Sequence, residues 1–231
     1  MIKKKINKLR SQFIKYGIDG YVIPKNDEFF SEYSNKDRLK IISNFTGSAG
    51  YAVILKNRNY LFVDGRYTIQ SRIESGKDFK ILDYSKIINS SVFKNLNLGI
   101  DPLLFTSKQI KNFFLKNNKI TIIKENLVDK ISNIQNKKKF PFYSIDKSIA
   151  GESHHKKISR VSSFLKKNKY DYLFITAPEN VAWLLNIRGY DSPTSPIPNS
   201  NLLLTKEQDF LLIVEKNKTS ILMSEKKLKQ N

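Results

Sequence analysis

Short apolar runs of three to five residues, Tyr21–Ile23, Tyr51–Leu55, Tyr60–Val63 and Ile120–Ile123, alternate along the chain with segments whose apolar residues recur at helical spacing. That alternation confines the chain to an α/β architecture, because buried strands need helices to cover them. None of the runs approaches the roughly 20 apolar residues that a bilayer crossing needs. Ile6, Leu9, Phe13 and Ile14 predict a helix from Ile2 to Tyr16, stopped at Gly17. Tyr21–Ile23 then reads as a strand closed by Pro24, and Arg38–Asn44 as a second helix. Gly47 and Gly50 bracket a turn into a hairpin, Tyr51–Leu55 with Tyr60–Val63, joined by the polar tetrad Lys56–Asn59. Arg66–Glu74 is expected to be helical, and Phe79–Leu82 and Leu98–Ile100 extended. Thr106 with Gln109 supplies a capping box for a helix running through Leu115.

The order of elements then repeats. Ile158, Val161, Phe164 and Leu165 mark a helix, Tyr172–Ile175 a strand, Glu179–Leu185 a helix, and Leu202–Leu204 with Phe210–Val214 a hairpin. Even the wording agrees, Gly20-Tyr21-Val22-Ile23-Pro24 answering Asp171-Tyr172-Leu173-Phe174-Ile175. The expectation is two similar α/β lobes, 1–141 and 142–231, each a mixed sheet flanked by helices. The boundary falls at Phe140–Tyr143, after the basic run Lys137-Lys138-Lys139, which reads as a linker. Past its hairpin the first lobe continues from Asp64 to Phe140, whereas the second has only Glu215–Asn231 left. The second lobe is therefore expected to be incomplete, with an open sheet edge or apolar face and poorer order near the C-terminus.

With no cysteine, the chain excludes disulfides, thiolate catalysis and thiolate-bound zinc. A charged rather than apolar start, Met1–Lys5, adds to a cytoplasmic expectation without membrane partners. The formal charge of +20, from 41 Lys and Arg against 21 Asp and Glu, suits nucleic acid in principle. Here the lysines are scattered and no basic run is interleaved with an aromatic platform, so the charge reads as solvating. The two histidines, His154 and His155, are adjacent and point about 100° apart on a helix, a poor clamp for one metal. Ser48 lacks the Gly-x-Ser-x-Gly spacing of a nucleophile elbow.

Gly47-Ser48-Ala49-Gly50 is read as a stretch of small residues that lets the chain turn and pack closely; a Walker-type phosphate cradle needs a longer loop and a following Lys-Ser/Thr. In Asp64-Gly65-Arg66, Asp64 is placed as a helix cap, Gly65 as the residue permitting the bend, and Arg66 as projecting outward. Phe45, Tyr67 and Trp183 are expected to pack as apolar area. Ser192–Pro198, with its prolines, is expected as an extended connector or a recognition loop.

Tyr21-Val22-Ile23-Pro24, Ser31-Glu32-Tyr33, Asp37-Arg38, Phe45-Thr46-Gly47-Ser48-Ala49-Gly50 and Val63-Asp64-Gly65-Arg66-Tyr67 together resemble the creatinase-type amino-terminal domain of Xaa-Pro aminopeptidases, a ribonuclease H-like fold. Gly99-Ile100-Asp101-Pro102 and Asn126–Lys130 look like the closing segments of that domain. Ala177–Gly189 is similar to the middle domain of the family's three-domain branch. The resemblance implies a third, pita-bread domain holding two divalent metals, usually manganese, through two Asp, one His and two Glu, and that domain has no counterpart in this chain. The chain is accordingly expected to hold neither catalytic residue nor cofactor, and to be inert in releasing the residue that precedes proline. The resemblance also implies a homodimer through the amino-terminal domain, a carboxy-terminal catalytic domain as partner, and Arg66 reaching a partner's active site to meet substrate. A planar guanidinium suits carboxylate or carbonyl recognition there. The alternative for Arg66 is an ion pair with an acid of its own lobe. The alternative for the whole chain is a free-standing regulatory module that pairs with a full-length enzyme.

Overall fold

The computed structural model describes residues 2–31, 36–87, 92–132, 140–215 and 218–220. The chain divides into two compact units, Met1–Gln135 and Asn136–Asn231. No helix of the described residues is long and apolar enough to cross a membrane.

In the first unit the opening helix is broken in two, α1 (Ile2–Arg10) and α2 (Phe13–Tyr16). At the break, the Gln12 amide bonds the Leu9 carbonyl three residues back, and Ser11 Oγ donates to the Lys8 carbonyl at 2.8 Å. Side-chain competition of this kind unseats a helix. Gly17 closes α2 at φ 60°, a left-handed conformation that glycine adopts at no steric cost. There follow β1 (Gly20–Pro24), α3 (Arg38–Ser43), the hairpin β2 (Gly50–Leu55) and β3 (Asn59–Val63), and α4 (Thr68–Ser75). β4 (Lys80–Asp83), β5 (Asn97–Ile100), α5 (Ser107–Ile110), β6 (Lys119–Ile122) and α6 (Leu127–Ile131) complete the unit. The Thr106 capping box forms in both halves: Thr106 Oγ1 accepts from the Gln109 amide at 3.2 Å, and Gln109 Oε1 accepts from the Thr106 amide at 2.8 Å.

The sheet order is β4-β3-β2-β1-β5-β6. β1 pairs antiparallel with β2, and β2 with β3, while β3–β4, β1–β5 and β5–β6 are parallel, so the sheet is mixed. Both of its faces are covered. Tyr21, Ile23, Ala52, Ile54, Leu61 and Val63 pack in one cluster with Ile6, Leu9, Leu39, Ile42 and Leu127 from the helices. Val22, Tyr51, Val53, Tyr60 and Phe62 face the other way, into a cluster with Phe93, Leu104, Phe105 and Phe114.

The second unit contains β7 (Tyr143–Ser144), α7 (Lys147–Ala150), α8 (His154–Lys167), β8 (Tyr172–Ile175), α9 (Pro178–Leu185), β9 (Ile187–Arg188), β10 (Asn201–Thr205) and β11 (Phe210–Ile213). The run α8-β8-α9-β10-β11 repeats α1-β1-α3-β2-β3, down to the antiparallel pairing of each neighbour. Mixed pairing is a property of the first unit. Among the described residues the β8-β10-β11 sheet is antiparallel throughout, whereas the parallel pairs of the first unit all involve β4, β5 and β6, which follow its hairpin.

The repeated wording is one residue out of step with the repeated structure. Tyr21 is buried against helices, whereas Tyr172 is 65% exposed. Judged by register, the row Val22–Val53–Tyr60 corresponds to Phe174–Leu203–Leu211. A slip of one position exchanges the two faces of a strand, so the true counterpart of Tyr21 is Leu173. One face of the second sheet, through Ile175, Leu202, Leu204 and Leu212, packs with Ile158, Val181, Leu184 and Leu185. On the opposite face Tyr172, Phe174, Leu211 and Ile213 stand exposed. The expected open apolar face is thus present. The expectations for the C-terminal residues 221–231, for Glu32 and Tyr33 and for Lys137–Lys139 lie outside the described residues.

The Pro-rich segment does not run extended; it folds back on itself. The Gly189 amide bonds the Pro196 carbonyl at 3.2 Å and the Asp191 amide the Ile197 carbonyl at 3.3 Å, while the Asp191 carboxylate accepts from the Asn199 amide and pairs with Lys218.

Candidate functional site

The register Gly50↔Val63 sets the loop that enters β2 beside the turn that leaves β3. The residues singled out by sequence, Phe45, Gly47, Ser48, Gly50, Asp64, Gly65, Arg66 and Tyr67, therefore converge. Phe45 is fully buried and meets Tyr67 edge-on, with ring centroids 5.7 Å apart. Gly47 lies against both rings: a Cβ there would overlap Phe45 and come within 2.9 Å of Tyr67. At Gly50 a Cβ would stand 2.8 Å from the Phe62 carbonyl oxygen. Close packing requires glycine at these two positions. Gly65 is different, since a Cβ there meets nothing within 4 Å and its φ is not positive, so the bend does not depend on it.

Ser48 Oγ and Tyr67 Oη share a hydrogen bond of 2.8 Å. On the other side of the loop, Glu74 of α4 accepts from the Thr46 amide at 2.8 Å and from Thr46 Oγ1 at 2.7 Å. Burial alone would raise the Glu74 pKa, but these bonds outweigh it and hold the carboxyl below its usual range.

Asp64 caps the turn as expected, its Oδ1 accepting from the Arg66 amide at 2.9 Å. The same oxygen accepts from Arg66 Nε at 2.9 Å, and the guanidinium lies 5.3 Å from the Tyr67 ring centroid. These bonds from Arg66 hold the Asp64 carboxyl below its ordinary range. The within-lobe ion pair and the outward projection hold together, because the Arg66 side chain is 70% exposed. Next to it α4 is amphipathic the wrong way round: Ser71 and Ser75 are buried while Ile69 and Ile73 are 74% and 79% exposed. Ser75 Oγ donates to the Ser43 carbonyl at 2.8 Å, so the inward serines are hydrogen-bonded and the outward isoleucines are what α4 presents to solvent.

Sequence reasoning missed a buried ionic cluster. Arg38, 1% exposed, donates from Nε to Asp129 Oδ1 at 2.8 Å, from Nη2 to Asp129 Oδ2 at 2.7 Å and from Nη2 to Glu28 Oε1 at 2.5 Å. Burial pulls the guanidinium pKa down, but the two carboxylates outweigh it and hold it above its ordinary range. Asp37-Arg38 and the Asn126–Lys130 segment were each visible as motifs; nothing local links them.

Trp183 is not core. On an eight-residue helix whose buried stripe is Val181, Ala182, Leu184 and Leu185, it falls to the side and is half exposed, with Lys157 Nζ 4.6 Å and the Arg160 guanidinium 5.9 Å from its ring. The His154 and His155 rings lie against each other, centroids 4.0 Å apart and planes tilted by 36°, rather than diverging. Among the described residues no three His, Asp or Glu side chains group closely enough to hold a metal ion, so they do not fit a dimetal centre.

Residues 5–126 and residues 133–231 each match a family model of the creatinase/prolidase N-terminal domain. The chain is 30% identical over 226 residues to a protein of Laccaria bicolor named probable Xaa-Pro aminopeptidase P, a match covering 91% of this chain and 35% of that protein. To Xaa-Pro aminopeptidase 2 of Rattus norvegicus it is 31% identical over 229 residues, 92% of this chain and 34% of the other. The solved structure of the X-prolyl aminopeptidase from Caenorhabditis elegans, described as a cytosolic enzyme with a di-nuclear active site, matches at a TM-score of 0.83 and 26% identity, over 94% of this chain and 39% of that one. The chain spans about a third of the length of the curated relatives it matches.

Proposed function

The chain belongs to the creatinase/prolidase N-terminal domain family, and on that premise we propose that it is a non-catalytic architectural region of an Xaa-Pro aminopeptidase, serving dimerisation and substrate access. The catalysis it supports is release of an N-terminal residue that precedes proline, carried out by a dimetal domain in cis or in a partner, in the cytoplasm. The observation that carries the reading is the inverted helix α4. Exposing Ile69 and Ile73 while burying two serines costs solvation energy in a lone unit and loses that cost when a second apolar surface covers the helix. Arg66 stands at the start of the same surface with its side chain 70% exposed, which supports its contact with a partner's site.

Light scattering on the eluting chain tests the dimer: a mass twice that of the 26.8 kDa protomer is expected, falling to one protomer in Ile69→Glu/Ile73→Glu. A monomeric parent chain at high micromolar concentration overturns this assignment of the surface. An Xaa-Pro peptide with added manganese should remain intact; turnover by the purified chain overturns the non-catalytic role. The regulatory-module alternative uses the same face and predicts a mixed complex with a full-length relative.

A further inference from the structure

We propose that the tip of the β2–β3 hairpin carries an oxyanion site, formed by Arg10, Arg58 and Lys80, whose ligand is of the phosphate class. These residues, with Tyr60 and Asp78, line a cavity of about 400 Å³. Three cations face one carboxylate in it, and neither Arg10, Arg58 nor Lys80 makes an ion pair among the described residues. Leaving like charges together without counter-charge is unfavourable, and a dianion entering the cavity removes that repulsion.

The site is built rather than merely charged. At its base Arg10 is fixed, Nε donating to the Leu55 carbonyl at 2.8 Å and Nη2 to Asn59 Oδ1 at 2.8 Å. Asn59 is itself fixed, its Nδ2 donating to the Asp78 carbonyl at 2.8 Å. Two of the five guanidinium N–H groups are thus spent on orienting Arg10 and the others are left for a ligand. A phosphate oxyanion, with several acceptor oxygens and more than one negative charge, matches two guanidinium groups and an ammonium better than a single carboxylate does. The shared chemistry is the phosphate group, whether of a small free anion or of a nucleic-acid backbone.

Calorimetric titration of the whole chain with inorganic pyrophosphate, and fluorescence anisotropy with a labelled single-stranded oligonucleotide, separate the two sources. Saturable one-to-one binding is expected, weakened about tenfold by Arg58→Ala/Lys80→Ala, which is about 1.4 kcal/mol. Asn59→Ala leaves the net charge unchanged but releases Arg10, so a several-fold loss is expected from a built site and none from diffuse charge. Lys3→Ala/Lys4→Ala, on an exposed part of α1, removes two charges elsewhere and should leave affinity within about twofold. If pyrophosphate alone depends on Arg58 and Lys80, the ligand is a small anion; if the oligonucleotide does so as well, it is a phosphodiester backbone. Non-saturating binding, or an equal loss in the Lys3/Lys4 control, overturns the site. Should Asn59→Ala fail to fold, the variant of the exposed Arg58 and Lys80 decides alone.

Discussion

Ser48 and Tyr67 join hydroxyl to hydroxyl at 2.8 Å, tying the loop that precedes β2 to the turn that carries Arg66. Gly47 is the residue that allows this approach. Gly47→Ala forces a methyl group into the Phe45 and Tyr67 rings and should cost about 1–3 kcal/mol, as overpacking does. Tyr67→Phe deletes only the hydroxyl bond and should cost about 1 kcal/mol. Urea denaturation of the two variants checks the order; equal losses would mean that the glycine is not set by packing.

Arg38 sits between Asp129 and Glu28 with almost no exposure. Removing Asp129 takes away both bonds of one carboxylate and leaves the buried cation with Glu28 alone, so Asp129→Ala should lose about 3 kcal/mol. Arg38→Met removes the cation and leaves two carboxylates that are each 30% exposed and able to hydrate, so its loss should be the smaller. Equilibrium unfolding that ranks the two the other way would refute this account of the cluster.

The same cluster sets an acid limit. Burial alone would raise the Glu28 pKa, but the hydrogen bond and charge of Arg38 outweigh it and leave the carboxyl below its usual range. The unfolded chain then binds this proton more readily than the folded one. Stability from Glu28 is full above the ordinary glutamate value of about 4.3 and is lost as pH falls through and below it. Melting temperatures between pH 3 and 6 should fall on acidification, and Glu28→Gln should flatten that slope.

The open face of the second sheet should bind hydrophobic dye. Phe174→Lys/Leu211→Lys replaces two of its exposed apolar side chains, so dye fluorescence should drop while far-ultraviolet circular dichroism stays unchanged. Loss of secondary structure in that variant would place these side chains in the core instead.

Elements set by neighbours a few residues apart were legible in sequence: the Thr106 capping box, the hairpin of Tyr51–Val63, the Asp64 cap. The convergence of the small-residue loop with the Arg66 turn follows from that hairpin, which brings its two ends together. What escaped depends on geometry that composition does not carry. Arg38 and Asp129 are 91 positions apart, and no local pattern pairs them. Trp183 failed because one apolar residue in a short helix lands beside the buried stripe rather than on it. The phase of β8 failed because Tyr172 copies Tyr21 in identity but not in face, and only strand register separates the two.

The Arg38–Asp129 bond also bears on the order in which the first unit is expected to assemble. Arg38 and Asp129 lie 91 positions apart, so on a chain growing from its N-terminus the cation is made well before its carboxylate partner. Until then the cation has only Glu28 to meet, and closing α3 onto the sheet would bury a half-neutralised charge. On that ground final consolidation of the first unit is expected to wait for α6.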